Sequence, residues 1–256
     1  NSLDPNKAVG SGTQEILFNI YEGLYKPDSD GNLIPAVASG YTVSDDGKTY
    51  TFTLRDGIKF HNGNPVTVED VKYSIEKCAG NGTGEPLISA FSIIESVETP
   101  DEQTVVINLS EPKDDFLAIV STVSAAIVPA DVDDLETNPV GTGPYKFVSR
   151  SLQENVVLKK FDEYWGEPAH IEDVTLKVIA DGDSIVMNLQ GGSIDMMARI
   201  TTTQAAQLGD QFDILEGTMN LVQAMYLNNA VEPFNNEKVR QALSYAINKQ
   251  EIMDFM

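Results

Sequence analysis

The stretch Ala36–Ser74, AVASGYTVSDDGKTYTFTLRDGIKFHNGNPVTVEDVKYS, leaves a chain few choices. Asp46-Gly47 is a dipeptide suited to the positive backbone angles of a tight hairpin turn. After it Tyr50, Phe52 and Leu54 alternate with Thr49, Thr51 and Thr53. Side chains on a strand alternate faces, so the large apolar groups fall on one side and the hydroxyls on the other. Asn62-Gly63-Asn64-Pro65 then breaks the pattern as a turn cluster. Thr67 is placed to cap the helix that follows, and Asp70 supplies a carboxylate near its N-terminus. Val68, Val71, Tyr73 and Ile75 give that helix apolar contacts. A hairpin followed by a capped helix is the expectation. Nothing in the stretch has the look of catalysis; it reads as scaffold, and function must come from what it supports.

The remaining totals narrow the classes. A length of 256 residues suits one large domain or two smaller ones with a real core. A formal charge of −22 excludes nucleic acid as a natural partner, because phosphate binding needs clustered Lys and Arg. The same charge repels an anionic membrane surface, and solubility is its plainest reading. Cys78 is the one cysteine, so the sequence holds no intramolecular disulfide and no cysteine zinc cluster. On an amphipathic helix it reads as a small buried hydrophobe. No run reaches the roughly 18 apolar residues of a membrane span, and no signal peptide is visible. The chain opens on Asn1 with no initiator Met, and the expectation is that a leading segment has been removed.

In chain order, Val9-Gly10-Ser11-Gly12 precedes Thr13, read as an N-cap. Helical spacing of Ile16, Leu17, Ile20, Tyr21 and Leu24 predicts a helix over Thr13–Leu24. Strands are expected at Ile93–Glu98 and Thr104–Leu109. A helix should start at Pro112 with Phe116, Leu117 and Val120 inward. Val123–Val128, small and apolar, reads as a strand. Further strands are expected at Tyr145–Ser149, Asn155–Lys160, Asp173–Ile179, Ile194–Ala198, Phe212–Gly217 and Val222–Leu227. Helices are expected at Asp183–Leu189, from Thr203 through Leu208, at Glu237–Ile247 and from Asn248, where Glu251 completes a capping pair. That last helix runs into Met256 without a stop signal, which leads to the expectation that the chain is a piece of a longer protein.

A search for chemistry returns little. His61 and His170 stand in no zinc-hydrolase spacing. No GxSxG elbow, cysteine-nucleophile pattern or phosphate loop is present. Asp131–Asp134 and Asp181–Asp183 are acidic enough for calcium but do not fit the loop with a closing Glu, and a solvated surface loop is the simpler reading. The aromatic cluster of Phe161, Tyr164 and Trp165 follows an amphipathic strand and is expected to anchor the core. No catalytic residue, metal site or cofactor is assigned, an extracellular hydrolase is only weakly supported, and a binding module is what remains. Residue chemistry alone makes Val9–Gly12 a flexible lead into a helix; a backbone edge lining a cleft is its functional alternative.

Ordered matches run the length of the chain. Ser2-Leu3-Asp4-Pro5, Tyr21-Glu22-Gly23-Leu24, Leu54-Arg55, Gly57, Phe60, Gly63, Glu69-Asp70-Val71 and Pro139-Val140-Gly141-Thr142-Gly143-Pro144-Tyr145 come first. Tyr164-Trp165, Gly192-Ser193-Ile194-Asp195, Leu227-Asn228 and Val239-Arg240-Gln241-Ala242-Leu243 follow. In these the chain resembles the extracytoplasmic solute-binding proteins of oligopeptide, dipeptide and nickel ABC transporters (family 5). The resemblance implies an α/β fold of the periplasmic-binding-protein type II class. Lobe I would be residues 1–35 and 140–256, an inserted small domain II residues 36–139, and the second ligand-binding lobe, lobe III, would be absent.

It further implies a peptide ligand held between lobes by backbone hydrogen bonds, closure about a hinge, and delivery to ABC permease subunits. A nickel, metal-chelate or sugar ligand on the same scaffold is the alternative. Membrane association would come only through a lipid anchor or the permease, with the protein in the periplasm or on the cell surface as a lipoprotein. The ligand-binding candidates it implies are Val9, Gly10, Ser11 and Gly12, with Asn228 near the lobe crossover. Glu22, Arg55, Asp70 and Arg240 are expected to be scaffold. The piece alone is expected to bind peptide poorly, and the face turned to lobe III to be apolar and prone to self-association.

Overall fold

The computed structural model describes residues 2–8, 10–81, 84–217 and 224–255. They form two compact units, Asn1–Met197 and Ala198–Met256.

In the first unit, β3 (Ala38–Val43) and β4 (Thr49–Leu54) make the expected hairpin, with Gly47 at φ 70° in the turn. β6 (Thr104–Leu109) pairs with the free side of β4, and β5 (Ile94–Glu98) closes an antiparallel sheet of order β3-β4-β6-β5. Tyr50, Phe52 and Leu54 are buried, as the period of two requires. They share one core with Val71, Ile75 and Cys78 of α2 (Val68–Cys78) and with Phe116 of α3 (Phe116–Ile119). The ring of Phe116 lies 4.8 Å from that of Tyr50. Each such side chain contributes roughly 1.5–3 kcal/mol by leaving water. The cap of α2 is reciprocal: Thr67 Oγ1 accepts from the Asp70 amide at 3.2 Å, and the Thr67 amide donates to Asp70 Oδ2 at 2.9 Å. Cys78 is buried as expected, and burial pushes its thiol up to about 12.

A pair of short strands, β1 (Tyr25–Pro27) and β2 (Leu33–Pro35), precedes this sheet. β7 (Tyr145–Ser151), β8 (Asn155–Lys160) and β9 (Asp173–Lys177) form a second antiparallel sheet in that order. α4 (Gly182–Gln190) follows, with Asp181 accepting from the Ser184 amide at 2.9 Å.

The first helix is the main departure from the sequence reading. α1 covers Ser11–Leu17 rather than Thr13–Leu24; Gly10 is its N-cap, and Thr13 is buried inside it. The reason is tertiary. The carbonyls of Asn19 and Ile20 accept from the amides of Tyr145 and Gly143 at 3.0 and 2.9 Å. Those of Glu22 and Gly23 accept from Ile127 and Val37 at 2.9 and 3.3 Å. The Asn19 and Ile20 carbonyls, which a helix running to Leu24 would have spent internally, serve distant backbone instead. The Gly141-Thr142-Gly143 motif is what permits the approach. A Cβ at Gly141 would lie 2.1 Å from the Ile20 carbonyl oxygen, and one at Gly143 2.6 Å from that of Asn19.

Other expectations fail as well. Val123–Val128 is a 3₁₀ turn at Val123–Ala125 followed by buried extended chain, because Ile127 bonds to the loop at Glu22 and joins no sheet. Ile194–Ala198 forms no strand.

In the second unit, Phe212–Gly217 forms no strand either. Of the strand expected at Val222–Leu227, residues 222–223 lie outside the described residues, and 224–227 are not extended in a ladder. The helices are present: α5 (Thr202–Leu208), α6 (Glu237–Ala246) and α7 (Lys249–Phe255). Thr201 rather than Thr203 caps α5, with Gln204 completing a capping box. Asn236 caps α6. Arg240 donates to the Phe234 carbonyl at 2.7 Å, a scaffold role.

No described helix is long and apolar enough to cross a membrane.

Candidate functional site

A groove of about 750 Å³ opens on the first unit, within the size range of small-ligand sites. Three stretches distant in sequence make its main walls, with Pro27 of β1 and Leu33 of β2 beside them. The first is Asn6 and Ala8, with Gln14 of α1 and Phe18 at its C-cap. The second is Leu87–Ala90, and the third is Ala118–Ser124.

Each wall is fixed by backbone-directed bonds. Asn6 Nδ2 donates to the Ser124 carbonyl at 2.9 Å and to Cys78 Sγ at 3.3 Å, so it ties the first wall to the third and to α2. The Ile88 amide donates to the Cys78 carbonyl at 3.2 Å, which anchors the second wall to the end of α2. Gly23 lets the third wall approach, since a Cβ there would sit 2.2 Å from the Val120 carbonyl oxygen. Ser121 and Thr122 spend their hydroxyl protons on the carbonyls of Leu117 and Ile119, at 2.6 and 2.8 Å. Phe18 and Leu87 are about half exposed, at 45% and 50%.

Beside the groove lies a smaller cavity of about 210 Å³, sharing Phe18, Pro27, Ser121 and Val123 with it. Its floor is the carboxylate of Glu22, which is almost wholly buried. Four donors satisfy that carboxylate: Lys26 Nζ at 2.8 Å, Tyr164 Oη at 2.7 Å, Trp165 Nε1 at 2.8 Å and Thr142 Oγ1 at 3.0 Å. Burial, with the Glu22 charge beside it, pushes the Tyr164 phenol well above its ordinary value, so it stays a donor. Arg55 stacks its guanidinium 3.9 Å above the Trp165 ring and donates to the Ala36 carbonyl at 2.8 Å. Glu22, Arg55 and Asp70 are thus committed to internal partners, as a scaffold reading expects. Trp165 is an anchor for the same reason.

His61 is partly buried at the same junction. Its Nε2 donates to the Gly143 carbonyl at 2.9 Å, and its Nδ1 accepts from the Gly141 amide at 3.3 Å. Both ring nitrogens are used by a neutral imidazole, and burial lowers its pKa to about 4. It is a clasp on the glycine motif rather than a titrating group near neutral pH.

The residues singled out from the sequence fall as follows. Val9 lies outside the described residues. Gly10 is extended (φ −88°, ψ 133°), and its carbonyl accepts from the amides of Thr13 and Gln14, both at 3.0 Å. Ser11 and Gly12 are exposed on the first turn of α1, and a Cβ at Gly12 would meet nothing within 4 Å. Ala8 and Gln14, on either side of this stretch, line the groove. Asn228 lies in the second unit, exposed and in a turn: its Oδ1 accepts from the Ala230 amide at 3.0 Å.

Sequence reasoning did not find the second and third walls. The signal present was the Leu87-Ile88 pair directly after Pro86, and the small-residue run Ser121–Ala126.

Comparison with known proteins bears directly on this geometry. The family model described as bacterial extracellular solute-binding proteins, family 5 Middle, matches residues 32–256. The glutathione-binding protein GsiB of Pectobacterium atrosepticum is 33% identical over 98% of this chain and 51% of its own length. Among solved structures, the periplasmic binding protein DppA of Helicobacter pylori, in complex with peptide STSA, matches with a TM-score of 0.84. Its identity is 27%, over 100% of this chain and 56% of that one. NikZ of Campylobacter jejuni, in complex with Ni(L-His), matches with a TM-score of 0.86 and 28% identity, over 98% of this chain and 52% of that one. The chain spans about half the length of the curated relatives it matches. The fold is mixed α/β, of the periplasmic-binding-protein type II class.

Proposed function

This chain belongs to the bacterial extracellular solute-binding proteins of family 5, and on that premise we propose that it takes part in capturing a peptide for an ABC importer. One observation carries the reading: a groove of ligand size runs beside the loop that leads into α1, flanked by Ala8 and Gln14. Backbone of Val9, Gly10, Ser11 and Gly12 then meets the main chain of the peptide; Ser11 and Gly12 stand in the first turn of α1, so their part is to donate the amides that a helix N-terminus leaves without an intrahelical partner. The open space over Gly12 supports close approach of a ligand backbone there. Asn228 is a ligand contact on the resemblance alone. The same holds for the division into lobe I (1–35 and 140–256), domain II (36–139) and a lobe III, for handover to permease subunits, and for a place outside the cytoplasm.

Peptide is favoured by two relatives: glutathione is itself a tripeptide, and the DppA structure holds a tetrapeptide. A metal chelate is a second reading, favoured by the likeness to NikZ with its Ni(L-His). Calorimetry on the natural protein in its full length separates them, with a pool of di- to pentapeptides in one arm and nickel with histidine in the other. Saturable heat with the peptide pool is the expected result. Heat only with the chelate, or with neither, overturns the peptide reading.

A further inference from the structure

Resting on the peptide reading above, one property of the groove says which part of a ligand belongs in it. Charged residues make up 22% of the chain, and its formal charge is −22. Yet none of the described residues that line the groove carries a charge. Its apolar contributors include Phe18, Leu33, Leu87, Ile88, Ile119 and Val123. Its polar ones are partly spent, because Ser121, Thr122 and Asn6 donate to main-chain carbonyls of the walls themselves. In the adjoining cavity, where charges do occur, Lys26 is bonded to Glu22 at 2.8 Å.

An ionised group brought into such a groove loses water and meets no countercharge, a large and uncompensated cost. An apolar side chain gains by the same desolvation. Half-exposed Phe18 and Leu87 are the apolar surface still available to receive one. We propose that the groove is a specificity subsite for an uncharged, apolar side chain of the bound peptide, and that Phe18 and Leu87 select it. Charged groups of the ligand, including its termini, lie outside this groove.

The test uses the full-length natural protein and a tripeptide series on an alanine background, with Leu, Asp or Lys placed at one position at a time. At one position Leu binds at least about tenfold tighter than Asp or Lys. In Leu87→Lys, a change at a half-exposed site that folding tolerates, that position comes to prefer Asp over Leu. Phe18→Ala reduces the Leu preference without creating one for Asp. Equal affinities at every position overturn the subsite while leaving peptide capture standing. So does a Leu-to-Asp ratio that Leu87→Lys does not move. Failure of every tripeptide and of the longer peptide pool overturns peptide capture itself.

Discussion

The two units of this chain carry equally good helix signals and very different interiors. In Asn1–Met197, one continuous core runs from Leu3 to Leu158, with Phe52, Ile75, Ile107 and Phe116 fully enclosed. In Ala198–Met256, Leu208 is the one buried hydrophobic among the described residues, and α6 buries none. Tyr226 and Tyr245 there are 93% and 91% exposed. Both units nevertheless use the same capping chemistry, a threonine with a reciprocal partner three residues on. Helix ends are set by groups within one turn of each other. Strands and cores need partners from elsewhere in the chain. Local rules are therefore satisfied in both units, whether or not the described residues build an interior around them.

The difference is broken hardest at the glycine motif. In Gly141→Ala the new Cβ meets the Ile20 carbonyl oxygen, a backbone atom that cannot step aside alone. The loop after α1 and the start of β7 must separate, at a cost of about 3 kcal/mol or more. Urea unfolding of the first unit should shift accordingly, while amide exchange in α6 stays unchanged. An unshifted midpoint would mean that the Asn19–Ile20 contact does not hold that core together.

This contact also explains where the sequence was legible. β4 was readable because alternation of Thr with Tyr, Phe and Leu has no helical interpretation. α2 was readable because Thr67 and Asp70 announce its start. The end of α1 was not, since its periodicity runs on to Leu24 and only distant Gly143 and Tyr145 claim the carbonyls that stop it. Val123–Val128 misled for the related reason that a chain buried without ladder partners has a strand's composition and no strand. The groove was half legible. Resemblance pointed to the loop before α1, but Leu87–Ala90 and Ala118–Ser124 reach it only through the fold.

A second prediction uses acid. His61 has its pKa lowered from the ordinary 6.5 to about 4. Between those values the unfolded chain binds a proton that the folded chain refuses. The stabilisation of the neutral ring is therefore complete above pH 6.5 and is lost as the pH falls toward 4. That window is worth about 3 kcal/mol. The slope belongs to the first unit, because both histidines of the chain, His61 and His170, lie there. Carboxylates titrate in the lower part of the window, so the measurement is a difference: unfolding free energy against pH for the natural chain and for His61→Asn. The variant should be less stable at pH 7 and should show a shallower fall. Parallel curves would mean that His61 titrates alike in the folded and the unfolded chain.

The smallest effect discriminates best, because it makes one chemical change in both units. Thr67→Ala and Thr201→Ala each remove a side-chain acceptor from a helix N-terminus, worth about 1 kcal/mol where the helix is part of a cooperative core. For Thr67 that condition holds, since α2 buries Val71, Ile75 and Cys78. The whole first-unit transition should move by this amount. For Thr201, α5 buries only Leu208, so loss of the cap should fray α5 locally. Faster exchange of its amides is the expected signature, with the main unfolding midpoint unchanged. If Thr201→Ala instead moved the main transition as far as Thr67→Ala does, α5 would unfold with the core, and the contrast between the two interiors would not extend to their cooperativity.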